Sequence, residues 1–161
     1  METGRIQVYC GTGHGKTIAA IGYAIRAASQ GKRVTMIQFL KGRSEEENSF
    51  IKRLEPEIKL FCFEKSEDFY DQLPQAQQSG EVANIRNGIN FARKVIQTES
   101  CEVLILDEIL GLLDNKIITM DDIKELVEHK DESMELIFTG RYINDEIMQI
   151  ADCVTSMETL K

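Results

Sequence analysis

Tryptophan is absent from this sequence, so any aromatic surface the chain offers must come from its seven phenylalanines and four tyrosines. Positive charge is scarce as well: 19 Lys and Arg stand against 27 Asp and Glu, a net charge of -8. That balance disfavours a broad nucleic-acid surface but leaves room for a local basic pocket. No apolar run approaches the length of a membrane span, and METGRIQVYC lacks the apolar stretch and small-residue cleavage site of a secretory leader. The chain is therefore expected to be cytoplasmic, with no membrane partner. The four cysteines, Cys10, Cys62, Cys101 and Cys153, show no paired ligand spacing. Three of them fall in or beside apolar strand-like runs, and they read as small buried hydrophobes in a reducing compartment, with a disulfide or a thiolate zinc site as the alternative.

What is present is an ordinary globular composition, 42% apolar and 29% charged over 161 residues, which argues against disorder and for one domain over 1–161. Arg5 to Cys10 has strand character, Ile18 to Gln30 is an apolar, Ala-rich helix with Gly31 as its stop, and Val34 to Leu40 is a second strand. Ile58 to Phe63 is a third strand, and the charged stretch between Lys41 and Pro56 reads as an exposed loop or short helix. Glu64 to Gly80 looks like an excursion. The helix after it, Glu81 to Gln97, carries Val82, Ile85, Ile89, Ala92 and Ile96 on one stripe. A strand over 102–106 follows. Thr119 caps a helix bearing Ile123 and Leu126, MELIF is a strand, a helix starts near Asn144, and DCVTSM is a short strand. This repeated switch between periods of two and 3.6 predicts an α/β three-layer sandwich with a mostly parallel central sheet.

The most specific motif is Gly11-Thr12-Gly13-His14-Gly15-Lys16-Thr17, placed between a strand and a helix. In that context glycines allow several N–H groups to turn inward, and the helix start adds its positive end. Lys16 supplies charge to terminal phosphates, and the Thr17 hydroxyl suits a divalent ion. The general pattern has Gly where Cys10 stands, so the loop is expected to follow an uncommon path. His14 reads as an exposed loop residue or secondary phosphate contact in preference to an acid. The apolar run VLIL delivers Asp107 and Glu108 to a strand end, where α/β sheets bind ligands; either could organise a metal, and Glu108 could serve as a base. Arg141, after the strand MELIF, could contact a phosphate or brace an acid. Gln38 and Lys41, at the exit of the second strand, are candidates for the same crevice, with solvated polar residues after a strand as the alternative.

Together, GTGHGKTIAAIGYAIRAASQGKRVTMIQFLKG, LILDE and ELIFTGRYINDEIMQIADCVTSM resemble the ATP:corrinoid adenosyltransferase family of cobalamin synthesis and salvage, over most of the chain. The resemblance implies a RecA-like P-loop fold. It also implies transfer of the 5′-deoxyadenosyl group of ATP to the Co(I) of a reduced corrinoid, with release of inorganic triphosphate. The implied co-substrate is ATP, with Mg2+ or Mn2+, an external reductant such as a flavoprotein, and a homodimeric assembly. Lys16, Glu108 and Arg141 become the candidate catalytic groups, and Thr17, Asp107 and Glu108 the metal ligands. The nucleotide and corrinoid would be bound by Gly11, Thr12, Gly13, His14, Gly15, Lys16, Thr17, Gln38, Lys41, Phe63 and Phe69. The departures lie on the corrinoid side. CFEKSEDFY stands where relatives commonly carry Phe-Thr-Trp, ILGLLDNKII replaces an aromatic-bearing helix, and Thr12 replaces a common Asn. Phe63, Phe69 or Tyr70 could replace the lost aromatic surface. Competing readings are an ATPase or small-molecule kinase, which would make ADP, and a non-catalytic nucleotide- or corrinoid-binding protein.

Overall fold

Among the described residues six short strands form one all-parallel sheet, and their order places the interior of the molecule. The computed structural model describes residues 3–40, 45–63 and 72–161. Lys41, Phe69 and Tyr70 lie outside them. In chain order the elements are β1 (Ile6–Cys10), α1 (Lys16–Ser29), β2 (Val34–Gln38), α2 (Glu45–Lys52), β3 (Ile58–Cys62), α3 (Gln75–Gln97), β4 (Val103–Asp107), α4 (Ile109–Asp114), α5 (Met120–His129), β5 (Glu135–Thr139), α6 (Asp145–Ile150) and β6 (Cys153–Ser156). The strand order is β3-β2-β4-β5-β1-β6. β1 therefore lies between β5 and β6, and β5 separates it from β4.

A parallel sheet needs cover on both faces, and alternate residues of each strand supply the two cores. Val103 and Ile105 pack with Val34, Met36 and Ile137 against Ala20, Ala24 and Ala27 of α1 and Ile51 of α2. Leu104 and Leu106 point the other way and join Val8, Ile37, Leu136 and Phe138 beneath α3, α4, α5 and α6. The alanine stripe lets α1 sit close on the sheet, which aims its N-terminus at the carboxyl ends of the strands. The expected three-layer sandwich is thus present, with α1 and α2 on one face and the remaining helices on the other.

Three details differ from the sequence reading. α3 begins at Gln75, after Pro74, rather than at Glu81; its opening turns, through Gly80, are mostly exposed and polar, so no apolar stripe marks them. The second strand stops at Gln38, and Leu40 takes a left-handed backbone (φ 56). All four cysteines are free, but only Cys10 and Cys101 are buried. Cys62 and Cys153 are exposed because β3 and β6 are the two edges of the sheet.

The Thr119 cap is present as expected. Its hydroxyl accepts from Asp122 N, and the Asp122 carboxylate accepts from Thr119 N at 2.9 Å, closing a capping box. Asp122 also accepts from Arg86 at 3.1 Å and Arg93 at 2.9 Å, which ties α5 to α3. Burial works to raise the Asp122 carboxyl, but the Thr119 N–H and Arg86 outweigh it and hold it below the usual range. A folded-state value below the unfolded one stabilises above the unfolded pKa and is lost as pH falls through the folded one. Thr119→Ala is expected to cost about 1 kcal/mol, read as a melting temperature lowered by roughly 2–4 °C at pH 7. Asp122→Asn should lower it further, with the gap from the unsubstituted protein closing in acid.

Candidate functional site

The carboxyl ends of β1, β4 and β5 converge, and each contributes a different kind of group. β1 ends in Cys10 and the chain turns through Gly11 (φ 103) and Gly15 (φ 105), left-handed geometries in which glycine carries no side-chain clash. α1 begins at Lys16, and the first bond into the helix, Ala19 N to Gly15 O at 2.8 Å, leaves the N–H groups of Lys16, Thr17 and Ile18 ahead of the helical ladder. Those groups and the helix dipole make this end of α1 attractive to an anion. An open cleft of about 350 Å³ lies here, bordered by Gly13 to Ile18, by Glu108, and by Glu47 of α2.

Asp107, the last residue of β4, has 0% exposure. Its carboxylate accepts from the Thr17 hydroxyl, at 3.0 Å to Oδ1 and 3.2 Å to Oδ2, and from the Thr139 hydroxyl at 2.7 Å. Thr139 in turn accepts from Glu108 N at 2.8 Å. One hydroxyl on β5 therefore fixes both acidic residues. Glu108 itself has a left-handed backbone, φ 64, which is unusual for a residue with a long side chain and starts α4 immediately. Lys16 Nζ donates to Gly13 O at 2.7 Å, so the ammonium lies along its own loop.

The residues singled out in the sequence separate into groups. Lys16, Thr17, Asp107, Glu108, Gly13, His14 and Gly15 come together at the cleft or its floor. Gln38 is 6% exposed, in register with Asp107 on one side and Cys62 on the other, and its Oε1 accepts from the Cys62 thiol at 3.5 Å. Arg141 is exposed, and its carbonyl, rather than its guanidinium, braces the loop by accepting from Gly11 N at 2.9 Å. Thr12 is exposed. Phe63 is half-buried and packs its ring 5.6 Å from that of Phe91, which places it at the margin of the core. Lys41 and Phe69 fall outside the described residues.

Sequence reasoning favours Arg141 within Thr139-Gly140-Arg141, whereas the buried contact belongs to Thr139. The signal is the position of Thr139 at the end of a strand, but only the strand order reveals that this strand lies between β1 and β4. Glu47 is likewise hidden in a charged stretch. A wider cleft, about 760 Å³, opens at the opposite ends of the strands, between Arg5, Gln7, Arg26 and Lys32. There Glu135 accepts from Lys32 at 2.7 Å and from the Tyr23 hydroxyl. Burial and that carboxylate push Tyr23 up to about 12. This second cleft has neither a phosphate-loop turn nor a helix N-terminus, so the loop end remains the candidate site.

Comparison with known proteins gives a consistent result. A family model described as ATP:corrinoid adenosyltransferase BtuR/CobO/CobP matches residues 2–161. The chain is 28% identical to a corrinoid adenosyltransferase of Escherichia coli (strain K12) over 160 residues, 99% of this chain and 79% of that one. It is 26% identical to a corrinoid adenosyltransferase of Pseudomonas aeruginosa over 161 residues, 99% of this chain and 77% of that one. Among solved structures, a KaiC-like protein from Pyrococcus horikoshii OT3 aligns with a TM-score of 0.62 at 16% identity, over 100% of this chain and 76% of that one, a likeness of fold.

Thr139→Val keeps the shape of the side chain and removes both its hydrogen bonds. It is expected to destabilise the fold by about 1–3 kcal/mol in urea unfolding, whereas Thr139→Ser should lie close to the unsubstituted protein. Equal losses in the two variants would show that the methyl group, not the hydroxyl, matters.

Proposed function

Because the chain belongs to the ATP:corrinoid adenosyltransferase family, and so transfers the adenosyl group of ATP to a corrinoid cobalt centre, we propose that the cleft at the start of α1 is where the triphosphate is held and where it leaves. The observation that carries this assignment is the bond between Thr17 and Asp107. A first-turn hydroxyl meets a carboxylate of 0% exposure beneath the N-terminus of a 14-residue helix.

The donor set at this position fits a hard divalent cation. The Thr17 hydroxyl and the Asp107 carboxylate are oxygen ligands on adjacent elements, with Glu108 beside them on the cleft. Among the described residues no three acidic, His or Cys side chains form a closed cage. That suits Mg2+ or Mn2+, which keep water and phosphate oxygens in their shell. Bound there, the ion would supply charge neutralisation to the triphosphate. Lys16 would leave Gly13 O for the phosphate oxygens, and the N–H groups of Lys16, Thr17 and Ile18 would receive the rest of the charge. Arg141, exposed two residues beyond Thr139, is the second cation we assign to the phosphates.

Chemically, the Co(I) centre uses an electron pair to attack C5′ of ATP. The cobalt–carbon bond forms, the C5′–O bond breaks, triphosphate leaves with the bonding pair, and cobalt is left formally Co(III). No protein nucleophile is needed. The chain's contribution is to align C5′ and to stabilise the charge that develops on the leaving group, which fixed donors at a helix start do without reorganisation. Phe63 and Gln38, toward the β2 and β3 side of the same sheet end, are the described residues we place nearest the corrinoid. An external reductant to supply Co(I) and a homodimeric assembly, which the family likeness implies, complete the proposal, with a single domain over 1–161 and a cytoplasmic location resting on the sequence alone.

The test is an anaerobic reaction with ATP, Mg2+ or Mn2+ and a chemically reduced corrinoid, following both products. Adenosylcorrinoid and inorganic triphosphate should appear in equal amounts, and ADP in their place would reject the assignment. Lys16→Ala is expected to lower kcat/KM for ATP by on the order of 10²-fold, the loss typical of removing one charge-stabilising donor. Glu108→Gln should raise the metal concentration needed for half-maximal rate while leaving the melting temperature unchanged.

A further inference from the structure

The loop that receives the triphosphate is not free-standing, because the chain after β6 runs across it. Past Ser156 the main chain continues the β1–β6 ladder: Met157 N donates to Cys10 O at 2.8 Å. Gly13 N then donates to Met157 O at 2.9 Å, and His14 N donates to the Thr159 hydroxyl at 3.0 Å. Two consecutive loop N–H groups are thus satisfied by residues more than 140 positions away in sequence.

The sterics of the loop agree. A Cβ at Gly11 would lie 2.3 Å from Met157 O, and one at Gly13 would lie 2.7 Å from Met157 O and 2.8 Å from Thr159 N. These are backbone atoms, not the far ends of flexible side chains that could move aside. Gly15 has only the Met157 sulfur within reach, at 3.9 Å. The three glycines therefore serve two ends. Gly11 and Gly13 admit the segment after β6, and Gly15 makes the turn into α1. The donors divide in the same way. Gly13 N and His14 N are engaged by the segment, while Lys16 and the first turn of α1 border the cleft.

In this set, only Thr159 holds the loop through a side chain, which makes it separable by substitution. We propose that Thr159 is a positioning residue for ATP, its hydroxyl anchoring His14 N so that the loop is shaped for phosphate before the nucleotide arrives. The proposal rests on the assignment of ATP to this cleft. An anchored loop has less freedom to lose when it binds, so the gain should appear in nucleotide affinity rather than in the chemical step.

Thr159 is exposed, so its substitution should leave the fold unchanged. ATP binding by calorimetry, with metal and without corrinoid, is compared for the unsubstituted protein, Thr159→Val and Thr159→Ser. KM for ATP and kcat are measured in the adenosyl-transfer assay. Loss of one hydrogen bond predicts that Thr159→Val binds ATP about five-fold more weakly, with KM raised to match, kcat within about two-fold at saturating ATP, and Thr159→Ser restored. Unchanged affinity in Thr159→Val overturns the proposal, as does an equal defect in Thr159→Ser. Tighter binding in Thr159→Val also overturns it, because the segment would then be competing with phosphate for His14 N. If the unsubstituted protein binds ATP but forms no adenosylcorrinoid, the transfer assignment fails, while the calorimetric comparison still decides the role of Thr159.

Discussion

A carboxylate with no exposed surface is costly unless its oxygens are satisfied, and Asp107 is such a group. Its position at the end of β4 requires donors from two other parts of the chain. Thr17 comes from the first turn of α1, and Thr139 from the end of β5. Meeting that requirement fixes the start of α1 relative to the sheet and ties β4 to β5 at the level of the ligand. The same requirement explains why the hydroxyls recur where an apolar residue would fill the space equally well: Val in place of either threonine would take up similar volume but give the carboxylate nothing. The electrostatics of the cleft follow, because a buried carboxylate near a helix N-terminus suits the metal and phosphates proposed for it.

Much of this architecture was legible in the residue order because it depends on local pattern. The strand–loop–helix unit at Cys10 to Lys16 is defined by glycines at fixed offsets, and β4 is an apolar run closed by Asp107 and followed by Glu108. The Thr119 cap was equally plain, since its partner lies three residues away. The features that escaped are those set by strand order. Cys62 and Cys153 sit in apolar-looking runs, yet they are exposed because their strands form the edges. Thr139 is one hydroxyl among many until β5 is known to lie between the strands that carry the loop and Asp107. The opening turns of α3 carry polar residues on a mostly exposed surface, so periodicity could not find them.

The two faces of the sheet have different duties. α1 packs through alanines, a thin contact that brings its axis close to the strands and points its N-terminus into the cleft. On the other face the bulkier Phe39, Leu106 and Phe138 pack in one core with Ile85 and Ile89 of α3. Stability is thus concentrated away from α1. The ligand end is built from short polar contacts laid over the rigid carboxyl ends of buried strands, a usual division between scaffold and site.

The path of β6 also bears on how the protein comes into being. β1 precedes the other five strands in sequence, yet its neighbours in the sheet are β5 and β6. A growing chain that has emerged only as far as α5 carries the glycine-rich loop but lacks both flanking strands and the segment that crosses Gly13 and His14. Contacts of such long sequence separation form late, at a high cost in loop closure. The ligand loop therefore reaches the shape seen here only when β6 and residues 157–159 have been synthesised.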